Sequence, residues 1–376
     1  MCKLRGISVV VGGPHISALP ECLSQDMDVG CIGEGEQTFF ELLQLFNELG
    51  CFLPKDLELI RGVVYLDRGK LVRTSPRTPF ARLDDIPHPN RSLVGYQRHA
   101  YMFTSRGCPY RCVFCASSRF WGHVRFASPE YVVEEISELI DRGAKIISFY
   151  DDLFVANKPR IKQIADLVVS RGLHRAVKFT CSCRANGVTE DLVRCLKRMN
   201  VVSVGMGLES GSDRVLSYLK GRVSVKDAEY SIRLFKNAGI QVNASFVIGS
   251  PQETESEIME TYDFIRRNRL DFVDTYVLTP YPGTPIWDDA AERGLVSQTM
   301  DWGRLNIDFA KNKREAIILS RILDRNDIIR LYKKFRRQRL YRIAKALPRS
   351  PWISDLPKVL GGMIWEQISR LKNKIF

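Results

Sequence analysis

From Tyr101 to Leu278 the chain alternates between two hydrophobic patterns. Short apolar or β-branched runs occur at 101–105, 145–150, 177–183, 201–207, 241–248 and 272–278. Between them, at 129–142, 158–171, 189–199, 213–219 with 225–238, and 254–268, apolar positions recur three and four residues apart. The first pattern predicts strands and the second amphipathic helices, and strands separated by helices pair in parallel through crossover connections. Six such units fall short of the eight of a complete barrel. The predicted fold class is therefore α/β, with a partial (β/α)6 barrel open on one side.

The segment before the barrel repeats the theme only in part. Ile7-Ser-Val-Val-Val11 runs into Gly12-Gly13-Pro14, and 28–32 runs into Gly33-Glu34-Gly35-Glu36 and a helix carrying Phe39, Phe40, Leu42, Leu43 and Phe46. Strand, Gly-rich loop and helix in that order form part of an open α/β sheet, which holds ligands at its strand carboxyl ends. Two strands make half of such a domain, so residues 1–50 read as a truncated Rossmann-like half-domain. A hairpin pattern, 62–66 and 70–74 around Asp67-Arg68-Gly69, followed by Pro76, Pro79, Pro87 and Pro89, marks 51–97 as a linker. Residues 98–310 form the barrel and 311–376 a basic extension with C-terminal helices.

Composition adds one correction to a first impression. The net charge of +13 among 376 residues suggests an anionic partner. Residues 1–310, however, balance 38 basic against 38 acidic side chains, while 311–376 carry 18 against 5. The charge belongs to the tail, where Arg330, Lys333, Lys334, Arg336, Arg337, Arg339, Arg342 and Lys345 interleave with Ile328, Ile329, Tyr332, Phe335, Leu340 and Ile343, and where Leu356 to Leu371 repeat at helical spacing. This predicts helices packed on the barrel with a charged outer face; the sharper alternatives are peripheral contact with anionic lipid or an RNA-binding extension. Nucleic acid is not the expected partner. Removing the tail from residue 326 is expected to leave barrel chemistry intact. No stretch approaches the roughly 18 apolar residues of a membrane span and no secretion signal follows Met1, which predicts a cytoplasmic protein.

Ten cysteines in a chain of this length point to metal binding or burial before disulfides. Cys108, Cys112 and Cys115 lie in Arg106-Gly-Cys-Pro-Tyr-Arg-Cys-Val-Phe-Cys-Ala, just past the first barrel strand, at the end of the barrel where active sites collect. Three thiolates on one loop can converge on a soft metal centre. A complete [4Fe–4S] ligation needs four, so three leave one iron open to a further ligand; a structural zinc loop with a distant fourth ligand is the alternative. Cys181 and Cys183 project from one face of their strand and read as packing.

Cys-x3-Cys-x2-Cys after the first strand, with Phe114 before the last Cys, resembles the signature of the radical S-adenosylmethionine (SAM) superfamily, over about residues 98–290. Further motifs follow in the family's order. Asp151 and Asp152, after the second strand, stand where the family binds the methionine ammonium, and Arg184, after the third, where relatives contact the carboxylate. Glu209 and Ser210 resemble the ribose motif, and Ile248 with Gly249, then Thr279 with Tyr281, the adenine-side motifs. Each also has a simpler role open to it. The two aspartates can cap the helix near Asn157, Glu209 can pair with Arg214, and Gly249 can make a turn. The resemblance implies a [4Fe–4S] cluster on the three cysteines, S-adenosylmethionine as cosubstrate, reductive cleavage to a 5′-deoxyadenosyl radical, and an electron donor such as flavodoxin or ferredoxin.

Gly12 and Gly13, and Gly33 with Glu34, resemble the last strand-end loops of the cobalamin (B12)-binding domain that precedes many enzymes of this type. The motif able to supply a cobalt-ligating His lies earlier in that family domain, and His15 is not its equivalent. Cobalamin is thus a candidate cofactor that this chain alone is expected to bind poorly. The resemblance implies modification of a small-molecule or lipid-like substrate, with methyl transfer to carbon as the first choice over cyclisation or rearrangement. Methylthiolation of RNA or protein, and a cluster-binding scaffold without catalysis, are the alternatives.

Overall fold

Two sheets are built along the chain, and a hairpin beside them carries the cysteines. The computed structural model describes residues 2–346, with side chains to residue 339. The first sheet uses β1 (Val10–Val11), β2 (Val29–Cys31), β3 (Val63–Asp67) and β4 (Lys70–Arg73), in that spatial order. Strand β1 pairs parallel to β2, whereas β2–β3 and β3–β4 are antiparallel. Helices α1 (Pro14–Ala18), α2 (Glu36–Leu49) and α3 (Pro54–Leu57) connect them. The hairpin that the sequence places in a linker thus extends the N-terminal sheet. Val63, Val64 and Tyr65 are buried, and Val63 and Tyr65 share a core with Val29, Leu42 and Leu57. Local periodicity marks a hairpin but does not say which distant strand its buried face will join.

The second sheet holds the six expected parallel strands: β5 (His99–Met102), β8 (Ile146–Phe149), β9 (Lys178–Cys183), β10 (Val201–Glu209), β11 (Gln241–Ile248) and β12 (Phe272–Val277), neighbours in that order. A short antiparallel pair, β6 (Ser105–Arg106) and β7 (Arg125–Phe126), lies between β5 and the first crossover, and α4 (Ser117–Phe120) lies between its two strands. The crossovers are α5 (Pro129–Asp141), α6 (Lys158–Ser170), α7 (Glu190–Arg198), α8 (Asp213–Leu219) with α9 (Val225–Asn237), and α10 (Glu255–Arg267). Side-chain caps set the starts of all of these but α8. Ser128, Asn157 and Thr189 accept from backbone amides, and Ser224 with Asp227, and Thr254 with Glu257, close reciprocal capping boxes.

Strand β9 shows how the layers divide. Phe179, Cys181 and Cys183 are buried in the main core, while Thr180 and Ser182 border the barrel cavity. The two cysteines pack, as their shared face predicts. After β12 come α11 (Pro285–Glu292), α12 (Phe309–Asn312) and α13 (Arg325–Ala346). Helix α13 lies along the edge strand β12 and buries Ile328, Leu331 and Phe335 in the barrel's own core. Its charges pair with the barrel: Arg330 with Glu255 at 2.7 Å and Arg339 with Asp274 at 2.8 Å. The start of the tail therefore packs on the barrel, as its amphipathic pattern predicts, and its apolar face is part of the barrel core. The apolar repeat from Leu356 lies outside the described residues.

Candidate active site

Residues 107–124 form one excursion between β6 and β7, and its neck is held from several sides. Gly107 has φ +90°, and a Cβ there would sit 2.9 Å from the carbonyl oxygen of His123, so the turn into the loop requires glycine. Asp151, at the end of β8, accepts from the amide (2.8 Å) and hydroxyl (3.1 Å) of Thr104 and from the amide (2.5 Å) and hydroxyl (2.7 Å) of Ser105. Burial pushes its carboxyl up, against the hydrogen bonds from Ser105 and Thr104. Arg160 of α6, also buried, donates to the carbonyls of Ala127 and Thr104 at 2.7 Å each. The middle of the loop is pinned by Val113, whose amide donates to the Leu219 carbonyl at 3.0 Å. Phe114 packs with Tyr281 against the cluster containing Leu219, Ile286 and Trp287.

This frame leaves Cys108, Cys112 and Cys115 half-buried. Burial pushes the Cys108 and Cys115 thiols up, and the neighbouring cysteines and Asp152 push them further. Arg184 opposes this at Cys108. Its guanidinium lies 3.9 Å from the Tyr110 ring centroid and donates to Cys112 Sγ at 3.4 Å and to the carbonyls of Lys220 (3.0 Å) and Gly221 (2.9 Å). Among the described residues no three His, Cys, Asp or Glu side chains converge as ligands of a single ion.

Of the two acidic candidates after β8, Asp151 is consumed by the neck. Asp152 is exposed, accepts from the Gly107 amide at 3.1 Å, and acts electrostatically on two of the three thiols. Neither caps α6, a role that Asn157 fills. Glu209 has φ +64° at a bulge in β10, is buried, and pairs with Lys220 at 3.4 Å instead of Arg214, which binds Glu257. Burial pushes the Glu209 carboxyl up, while Lys220 and then Arg184 favour its charge. Ser210 is buried against Thr261 at 3.1 Å. Ile248 is buried at the end of β11. Gly249, at φ +84°, donates to Glu253 at 2.7 Å and faces Ile328 of α13. Thr279 donates to the Val277 carbonyl at 3.0 Å and Tyr281 to the Leu305 carbonyl at 3.2 Å.

A cavity of about 570 Å³ opens on the inner face of the six strands, with Asp152 among its lining residues. Its wall includes Ser148, Thr180, Ser203, Asn243, Ser245 and Asp274. Tyr101, Ser148, Thr180 and Ser203 occupy one registered row across four strands. Packed barrels fill such rows with branched apolar side chains; here hydroxyls leave room and offer hydrogen bonds.

The N-terminal candidates stand apart from this cavity. Gly13 precedes α1 and accepts from the Ser17 hydroxyl at 2.8 Å, while Gly33 donates to that same hydroxyl oxygen at 2.9 Å, so the Gly12-Gly13 and Gly33 loops are tied together. Glu34 reaches the neck of the cysteine loop, where it binds Arg125 and pairs with Arg106. Tyr110, Lys220, Arg160 and Glu253 were not among the sequence candidates. Only Tyr110, an aromatic between two of the cysteines, offered a local signal.

Residues 102–265 match the family model described as the Radical SAM superfamily. An uncharacterized methyltransferase of Pyrococcus horikoshii is 33% identical over 310 residues, covering 79% of this chain and 66% of that protein. The anaerobic magnesium-protoporphyrin IX monomethyl ester cyclase of Cereibacter sphaeroides is 24% identical over 358 residues, covering 91% of this chain and 56% of that one. The chain thus spans between about half and two thirds of the length of these relatives. In fold it is similar to the radical S-adenosylmethionine methyltransferase TsrM of Kitasatospora setae, solved with cobalamin and a [4Fe-4S] cluster bound. The TM-score is 0.65 at 19% identity, over 81% of this chain and 63% of that one.

Proposed function

This chain belongs to the radical SAM superfamily through residues 102–265, and from that membership we propose an enzyme that reductively cleaves S-adenosylmethionine to modify a small molecule. The observation that carries the reading is the placement of three half-buried thiols on one anchored loop beside a strand-lined cavity. Their chemistry fits an iron–sulfur cluster. Burial and their neighbours hold the Cys108 and Cys115 thiols up, and a bound metal centre would favour their thiolates, with the protons passing to solvent. Cys108, Cys112 and Cys115, three thiols on one loop, would supply three of the four protein ligands of a complete [4Fe–4S] ligation. When bound, the cluster supplies the electron that breaks the sulfonium carbon–sulfur bond.

The chain's own residues hold and orient. Cys108, Cys112 and Cys115 ligate. Arg184 donates to the Cys112 sulfur and brings a positive charge to the thiolates. Asp152 is the carboxylate free to receive an ammonium group beside the loop, a task Asp151 cannot share. Glu209 and the Gly249 turn remain the candidates for the nucleoside end. The cavity receives the substrate, and its hydroxyl row favours a ligand with polar groups over a purely lipid-like one. Cobalamin-dependent methyl transfer to carbon is the first choice of reaction and requires a corrinoid to carry the methyl group, with cyclisation or rearrangement the choice without one; a low-potential flavodoxin or ferredoxin is the electron donor. Anaerobic reconstitution tests the site: about four irons per chain are expected, and a chain that takes up a single zinc in their place would contradict it.

Cobalamin is the weaker part of the resemblance. Glu34, one of the loop residues proposed to meet it, is engaged with Arg125 and Arg106. Poor binding of hydroxocobalamin by this chain follows, and stoichiometric retention of a corrinoid through anaerobic purification would refute it.

A further inference from the structure

The cysteine loop returns through a neck only two residue pairs long, Ser105 opposite Phe126 and Arg106 opposite Arg125. Two arginines directly opposite one another repel, and a two-stranded ladder of this length is not stable on its own. Both are substantially buried, with side chains 18% and 5% exposed, so water screens their repulsion poorly. What lies between them comes from the other sheet. Glu34, itself 7% exposed, accepts from Arg125 on the returning arm and pairs with Arg106 on the outgoing arm at 3.4 Å. Its second oxygen accepts from the Phe80 amide at 3.2 Å, and the Phe80 carbonyl accepts from Arg125 at 2.8 Å, which closes the arrangement on the connector. Glu36 adds a second carboxylate on Arg106. Arg106 also lies over the Trp121 ring inside the loop, 5.3 Å from its centroid.

We propose that Glu34 is a positioning residue for the cysteine loop: by bridging two facing arginines at the neck, the N-terminal unit keeps the loop of Cys108, Cys112 and Cys115 closed. The Gly33-Glu34-Gly35-Glu36 segment then acts on the protein's own loop and not as a ligand-binding loop. Gly33, at φ +76°, sets the turn that presents the carboxylate. The meaning of this proposal for catalysis rests on the function proposed above; the clamp itself does not.

Amide hydrogen exchange on the full chain, held anaerobically before iron is added, tests it directly. In Glu34→Gln, which keeps shape and loses charge, exchange across 107–124 is expected to accelerate by about tenfold or more, with β10 and β11 unchanged. Adding Arg106→Gln to that variant removes the repulsion and should restore protection, a recovery that lost packing would not show. Wild-type exchange in Glu34→Gln, equal acceleration in β10 and β11, or no recovery in the double variant would each overturn the proposal. Because iron is absent from the measurement, failure of the chain to assemble a cluster would count against the proposed function and leave the clamp standing.

Discussion

Glu253 lies four residues beyond Gly249, with one oxygen accepting from the amides of Gly249 (2.7 Å) and Ser250 (3.1 Å). Among the described residues its other oxygen, though buried, has no hydrogen-bond partner. Burial pushes the carboxyl up to about 7, and Glu257 adds to the shift. In the unfolded chain the group titrates near 4.3. Between those values the folded state binds more protons, so stability is fully present below about pH 4 and is lost as pH rises through about 7. Glu253→Gln keeps an acceptor for both amides and removes the titration. Its urea unfolding free energy should exceed that of the wild type by roughly 2–3 kcal/mol at pH 8 and approach it at pH 5; parallel pH profiles would contradict the assignment. Little of this was legible in the sequence. Glu209 illustrates the same limit: Arg214, five positions on, was the local partner to expect, but the bulge at Glu209 turns the carboxylate toward Lys220.

At the scale of elements, the six strands and their crossover helices were legible because burial on one side of each element imposes a period that survives in any context. Strand β9 shows it, with Cys181 and Cys183 on the packed face and Thr180 and Ser182 on the other. The β3–β4 hairpin was legible as a hairpin and not as part of the first sheet, since its register with β2 depends on residues more than thirty positions away. Helix α13 was legible as an amphipathic helix packed on the barrel, but the depth to which its apolar face enters the core was not. Phe335 is 2% exposed in the barrel core, and Ile328 meets the backbone turn at Gly249. Phe335→Ala is expected to cost about 3–5 kcal/mol in chemical denaturation. A loss under 1 kcal/mol would show that α13 is an appendage of the barrel.

The whole molecule joins two units whose contact falls at the most chemically demanding point of the chain. An N-terminal sheet places Glu34 at the neck of a loop, the barrel places Asp152 and Arg184 around its thiols, and α13 covers the open edge of the sheet. Two of the tail's positive charges are paired with the barrel, Arg330 with Glu255 and Arg339 with Asp274. Among the described residues no helix is long and apolar enough to cross a membrane. The substrate was not legible, because the cavity wall draws on strands spread from Tyr101 to Asp274. The central claim is chemical and can be measured without knowing it. Reconstituted wild-type chain, given S-adenosylmethionine and a strong reductant under anaerobic conditions, is predicted to release 5′-deoxyadenosine, and Cys112→Ala to release none. Equal 5′-deoxyadenosine from the two proteins, or none from a wild-type chain that carries its full cluster, would contradict the account.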